Sequence, residues 1–127
     1  LRYPNRQVFS IVGDGGALMT GSELATAVAQ KAKIRVIVAN NQHYGTIRYH
    51  QEVHFPTRNH YATNLVNPDF AKYGESFGLQ CFTINEVEDI IPTIQKAMAV
   101  DGPSLIEFKM SLELNTSTTT ISQLQIK

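Results

Sequence analysis

The chain has 127 residues, 43% of them hydrophobic, with Lys+Arg and Asp+Glu balanced at 11 each. That length holds one domain around one core. The charge balance points away from nucleic acid and anionic membrane surfaces as partners. A single cysteine, Cys81, excludes an internal disulfide and fits a reducing compartment, so a cytoplasmic location is expected. No apolar run approaches the roughly 20 residues of a membrane span. The start, LRYPNRQ, has neither an initiator Met nor the apolar stretch of a signal peptide, so the chain is expected to be a piece of something longer.

Gln7 to Val12 reads as a strand, apolar at four of six positions. A helix follows within LMTGSELATAVAQKA. Thr20 or Ser22 is its expected cap, and Leu24, Ala27, Val28 and Ala32 form a stripe at helical spacing. Ile34 to Ala39 is a near-continuous β-branched strand, the pattern of a strand covered on both faces. His43 to His54 is a loop leading into a short helix, and Phe55 to Asn67 is polar, aromatic and irregular. Asn67-Pro68-Asp69 starts a helix, with Pro68 at its first position, and that helix ends before Gly78. Leu79 to Ile84 is a third strand. Glu86 to Val100 is a third long helix with Pro92 in its early part, and Asp101-Gly102-Pro103 stops it. Ser104 to Lys109 is a fourth strand. Residues 112–127 are rich in Thr, Ser and Asn without periodicity and are expected to be a poorly ordered tail or docking arm, so residues 1–111 form the domain. Strands alternating with helices give an open α/β fold with a mostly parallel sheet flanked by helices.

Two strand ends carry chemistry. Gly13-Asp14-Gly15-Gly16 closes the run VFSIV, and Asn40-Asn41 closes IRVIVAN. In parallel βαβ units, ligands bind at the carboxyl ends of the strands. An acid at one such end and an amide at the next suit a hard, oxygen-seeking cation, and glycines beside a helix start suit a phosphate. Taken alone, D-G and N-N are also ordinary turn residues.

Together, G-D-G and N-N, spanning 29 residues from Gly13 to Asn41, resemble the signature of thiamine diphosphate enzymes. The run Gln42-His43-Tyr44-Gly45-Thr46-Ile47 is similar to the acetolactate synthase and benzoylformate decarboxylase branch. The resemblance extends from about Gln7 to Phe108. It implies a partial C-terminal, diphosphate-binding domain of a three-domain enzyme, with thiamine diphosphate and Mg2+ as cofactors. Asp14, the Asn41 side chain and the backbone carbonyl of His43 would hold the metal. Gly13, Gly15, Gly16, Ala17, Tyr44, Gly45 and Thr46 would line the cofactor.

Pyruvate-type decarboxylases carry a Glu six positions after the last Asn, where this chain has Ile47. A hydrocarbon can be neither acid nor base. The resemblance therefore favours acetolactate synthase-like carboligation of 2-oxo acids, a transferase or lyase activity. The alternatives are a 2-oxo acid decarboxylase of the benzoylformate or indolepyruvate type, and a non-catalytic cofactor-binding or assembly module. The Glu that activates the aminopyrimidine would come from the pyrimidine-binding domain of a neighbouring subunit of a homo-oligomer, a dimer or tetramer. No catalytic residue is thus assigned within this chain, and the chain alone is expected to be inactive. G-x-G-x-x-G, the nicotinamide fingerprint, does not fit GDGGAL. His50 and His54 share zinc-compatible spacing but lack a third ligand. Arg48, His50 and His60 are candidates for a substrate entrance or subunit contact. Cys81 reads as a small buried apolar residue.

Overall fold

A computed structural model describes residues 2–3, 6–55, 58–116 and 118–124. Four strands, β1 (Val8–Gly13), β2 (Ile34–Asn40), β3 (Gln80–Ile84) and β4 (Ser104–Lys109), form one sheet in the order β1-β2-β4-β3. All its pairings are parallel: Val8 meets Ile34, Arg35 meets Ser104, and Gln80 also meets Ser104. This is the parallel α/β architecture that the alternating pattern predicts.

The β-branched runs of β2 and the apolar run of β4 make the centre of the sheet, and side-chain alternation divides their residues between two layers. On one face, Val38 and Leu105 pack with Leu24, Phe70 and Leu79. These come from or adjoin α2 (Leu24–Ala29) and α4 (Phe70–Ser76). On the other face, Ile106 and Ile84 pack with Ala97, Ile90 and Ile94 of α5 (Ile90–Met98). Pro92 sits in the first turn of α5, where its missing N–H costs nothing. β1 is an edge strand, and Val8, Phe9 and Ile11 are exposed.

Helix starts differ from the expectation. The chain passes from β1 directly into α1 (Asp14–Thr20), then through a 3-10 turn, Gly21–Glu23, into α2. Neither Gly13 nor Thr20 makes a side-chain cap, and the Ser22 hydroxyl donates to the neighbouring Glu23 carboxylate. The G-D-G-G turn thus doubles as the helix entrance, which makes a separate cap unnecessary. Pro68 likewise lies before the helix rather than in it. Asp69 is the N-cap of α4, and its carboxylate accepts from the Lys72 N–H at 3.0 Å. Past the end of α4, Gly78 takes φ +91°, a left-handed conformation that favours glycine.

α3 (Gly45–His54) follows β2, and the stretch up to α4 is irregular apart from a bridge between His43 and Asn64. Residues 56 and 57 of that stretch lie outside the described residues, as do 117 and 125–127 of the C-terminal one. In the segment expected to be a poorly ordered tail or docking arm, Leu114–Thr116 (β5) and Thr119–Thr120 (β6) form an antiparallel pair followed by α6 (Ile121–Leu124). Ile121 and Leu124 are buried, and β5 and α6 rest against α3. The hairpin is also tied by Glu113, whose carboxylate accepts from the Ser122 hydroxyl at 2.6 Å and N–H at 3.1 Å. Those two donors hold the Glu113 carboxyl below its usual value. Local hydrogen bonding and two apolar anchors order a segment that has no periodic signal.

Candidate functional site

Because β1 and β2 are parallel and adjacent, their carboxyl ends bring Gly13–Gly16 beside His43–Ile47. These two segments line an open cleft of about 240 Å³. Seven cofactor-lining positions from the sequence, Gly13, Gly15, Gly16, His43, Tyr44, Gly45 and Thr46, therefore meet there together with Asp14. Ile47 also lines the cleft and is about half exposed to solvent.

Asp14 is only 2% exposed. One of its carboxylate oxygens accepts from the Gly15 N–H at 2.8 Å, and the other accepts from the Asn67 amide at 2.7 Å. Glycine is required beside it on steric grounds. A Cβ on Gly15 would lie 2.5 Å from the Tyr44 ring, and one on Gly16 would lie 2.9 Å from Val12 Cγ2. Tyr44 thus packs directly on the glycine turn. Ala17 is placed differently: it packs on the core beside Val12 and lines an apolar cavity of about 250 Å³ under α1 and α2 instead of the cleft.

The loop after β2 is held by backbone pairing. Tyr44 N–H donates to the Thr63 carbonyl and Leu65 N–H to the Gln42 carbonyl, each at 2.8 Å. In such a non-hydrogen-bonded antiparallel pair, the backbone groups of the middle residue, His43, point away from the partner segment. The His43 N–H reaches the Asn41 side-chain oxygen at 3.3 Å, and its Nδ1 donates to the Asn41 carbonyl at 2.7 Å. The Asn41 amide nitrogen donates to the Leu114 carbonyl of β5 at 3.1 Å. The amide linked to Asp14 is the other one: Asn40 shares the Asn67 amide with it, accepting at 2.8 Å.

Other sequence candidates fall elsewhere. Arg48 is buried and pairs at 2.6 Å with the equally buried Glu52, one turn on, so it does not face an entrance. His60 Nδ1 lies 3.9 Å from the same carboxylate. His50 and His54 stack on each other with ring centroids 5.7 Å apart. Cys81 is half-buried in β3, where burial and then the nearby Glu75 push its thiol up to about 11. Neither Asn67 nor Glu107 is among the site residues that the sequence singles out. Asn67 reads as part of the helix start Asn67-Pro68-Asp69, and Glu107 sits inside an otherwise apolar strand.

A parallel α/β sheet with an acid and a glycine turn at the end of one strand and amides at the end of the next defines a ligand-binding domain of the doubly wound class. The chain matches the family described as "Thiamine pyrophosphate enzyme, C-terminal TPP binding domain" over residues 1–108, and it belongs to that family. It is 35% identical over 116 residues to the 3D-(3,5/4)-trihydroxycyclohexane-1,2-dione hydrolase of Bacillus subtilis (strain 168), covering 87% of this chain and 18% of that one. It is 29% identical to the acetolactate synthase large subunit of Porphyra purpurea, covering 86% of this chain and 19% of the relative. Among solved structures, the thiamine diphosphate-dependent 4-hydroxybenzoylformate decarboxylase of Rhodococcus jostii RHA1 superposes with a TM-score of 0.78 at 29% identity, over 85% of this chain and 20% of that one. The chain spans about a fifth of the length of these relatives. Among the described residues, no helix is long and apolar enough to cross a membrane.

Proposed function

We propose that this chain forms the diphosphate- and Mg2+-holding end of a thiamine diphosphate-dependent enzyme that acts on 2-oxo acids, most closely in the manner of an acetolactate synthase. The observation that carries this reading is the buried Asp14 carboxylate in a cleft shared by Gly13–Gly16 and His43–Ile47. The donor set fits the group. Mg2+ takes oxygen ligands and prefers a carboxylate together with substrate phosphate. Asp14 offers the carboxylate and His43 a carbonyl turned away from its backbone partner, while the Asn41 oxygen, which accepts from the His43 N–H outside the cleft lining, would be the third donor. Gly15 and Gly16 keep the turn free of side chains, so backbone N–H groups can approach phosphate oxygens. Tyr44, Gly45 and Thr46 line the cleft across from the glycine turn, and Thr46 would offer a hydroxyl to the cofactor. When bound, the cofactor would supply an electron sink for the former keto carbon of a 2-oxo acid.

Ile47 supports carboligation over pyruvate-type decarboxylation. It lines the cleft at the position where those decarboxylases have a Glu, and it can neither give nor take a proton. The likeness to a benzoylformate-type decarboxylase supports a second reading, decarboxylation with acids from another domain. Product analysis of the full-length enzyme with pyruvate separates the two: acetolactate for the first, aldehyde for the second. The remaining catalytic groups, including the acid that activates the cofactor, would come from the pyrimidine-binding domain of a neighbouring subunit in a homo-oligomer.

The experiment is calorimetric titration of thiamine diphosphate into the full-length protein with and without Mg2+, repeated on Asp14→Ala. Binding that requires Mg2+ and is lost in Asp14→Ala is expected. Binding that is indifferent to Mg2+ removes the metal assignment.

A further inference from the structure

The Asp14 carboxylate is not held by its own loop alone. A chain of side-chain hydrogen bonds runs to it along the sheet from β4, two strands away. Glu107 on β4 accepts from the Asn40 Nδ2 at 2.7 Å. Asn40 at the end of β2 accepts through Oδ1 from the Asn67 Nδ2 at 2.8 Å, and the same nitrogen donates to Asp14 Oδ2 at 2.7 Å. Asp14, Asn40 and Glu107 are all buried.

The direction of every bond is dictated by the ends. A carboxylate only accepts, so Glu107 draws the Asn40 nitrogen toward itself and turns the Asn40 oxygen toward Asn67. The Asn67 nitrogen then faces two acceptors and spends both its protons on them. Its own oxygen is left buried with no hydrogen-bond partner, a cost normally avoided. Flipping the amide would instead set oxygen against the Asp14 and Asn40 oxygens. The chain therefore forces Asn67 to sit amide-first against Asp14.

On the strength of the site proposed above, we infer that Asn67 is a positioning residue for the metal-binding carboxylate, with Asn40 and Glu107 as its anchor. Hydrogen-bonded partners one step beyond a metal ligand fix its orientation, and their loss typically costs about 10- to 100-fold in metal affinity. Asn67 fixes one Asp14 oxygen as Gly15 fixes the other, so the carboxylate has a single orientation before any cation arrives.

The test is the Mg2+ concentration that half-saturates thiamine diphosphate binding, measured by calorimetry on the full-length protein, Asn67→Ala, Asn67→Leu and Asp14→Ala. Each is paired with a thermal midpoint recorded without Mg2+. Leu keeps the branched shape of Asn without its donors. The expected result is a rise of about 10- to 100-fold in the Mg2+ requirement in both Asn67 variants. Asn67→Leu should do so even if its midpoint is unchanged or raised. A native Mg2+ requirement in either variant overturns the inference, as does a requirement that merely follows the thermal midpoint. If Asp14→Ala itself keeps native Mg2+-dependent binding, the underlying site assignment falls and the inference with it.

Discussion

Gly74 on α4 lies against the sheet, and a Cβ built there would meet Cys81 Sγ at 2.6 Å, Leu105 Cδ1 at 3.2 Å and Leu105 Cβ at 3.3 Å. Gly74→Ala therefore sets two effects against each other. Alanine in a helix interior gains roughly 1 kcal/mol over glycine. Overpacking a tight core costs typically 1–3 kcal/mol, and a 2.6 Å approach to a sulfur fixed in a strand belongs at the upper end. The net expectation is a loss of about 2 kcal/mol in urea denaturation. The same substitution in a Cys81→Ala background meets no sulfur, and only the two milder Leu105 contacts oppose the gain in helix propensity. There the effect should be near zero, giving a coupling of about 2 kcal/mol in the double-mutant cycle. A Gly74→Ala protein as stable as the parent would refute the packing argument. An equal loss in both backgrounds would refute the assignment of the cost to Cys81.

Three further outcomes follow from the same geometry. The Cys81 thiol, raised to about 11, stays neutral in the folded protein over a range where an unfolded thiol ionises, so it stabilises below the unfolded value of about 8.5. That contribution should fade as the pH climbs toward 11, a decline absent from Cys81→Ala in thermal melts, and native Cys81 should alkylate slowly at pH 8. Arg35 is fully buried in β2 and donates to the carbonyls of Val100 and Gly102, at the end of α5, and to the Gln7 side chain. Arg35→Met strands those acceptors, and chemical denaturation should show a loss of about 3 kcal/mol. Asp69, held below the usual carboxylate value by the Lys72 N–H, stabilises α4 above its unfolded value and loses that effect as the pH falls through its folded one. The difference in urea midpoint between the native protein and Asp69→Ala should accordingly narrow in acid.

The sheet was legible because hydrophobic runs of four to six residues have few other uses in a short α/β chain. Ser104–Lys109 was read with the observed boundaries, and β1 and β2 each within a residue or so. Helix starts were less legible, since a glycine turn that becomes a helix leaves no capping side chain to read. The cleft was visible in G-D-G and N-N, yet the polar chain behind it was not. Asn67 reads as part of a helix start with Pro68 and Asp69, and nothing local says that its amide reaches Asp14 across the fold. The two asparagines looked equivalent in sequence, whereas Asn40 turns toward Glu107 and Asn41 toward Leu114. Arg35 in an apolar strand was passed over for a similar reason: its partners are carbonyls supplied by a distant helix end.

The order of the strands also has a kinetic side. Asp14, both asparagines and the cleft-lining loop all belong to or adjoin the first βαβ unit, in which Val8 needs to find only Ile34. The centre of the sheet closes when Arg35 meets Ser104, much farther along the chain. Loop-closure entropy makes the nearer pairing cheaper, and contacts of long sequence separation slow folding. The two faces of the cleft can therefore meet early, but Glu107, which orders the polar chain behind Asp14, reaches Asn40 only when the equally local β3–β4 pair docks on β2. Pulse-labelled hydrogen exchange should find amides bonded within β1–β2 and within β3–β4 protected before those bonded between β2 and β4. The ligand cleft would then take shape first and acquire its rigidity only when the sheet is complete.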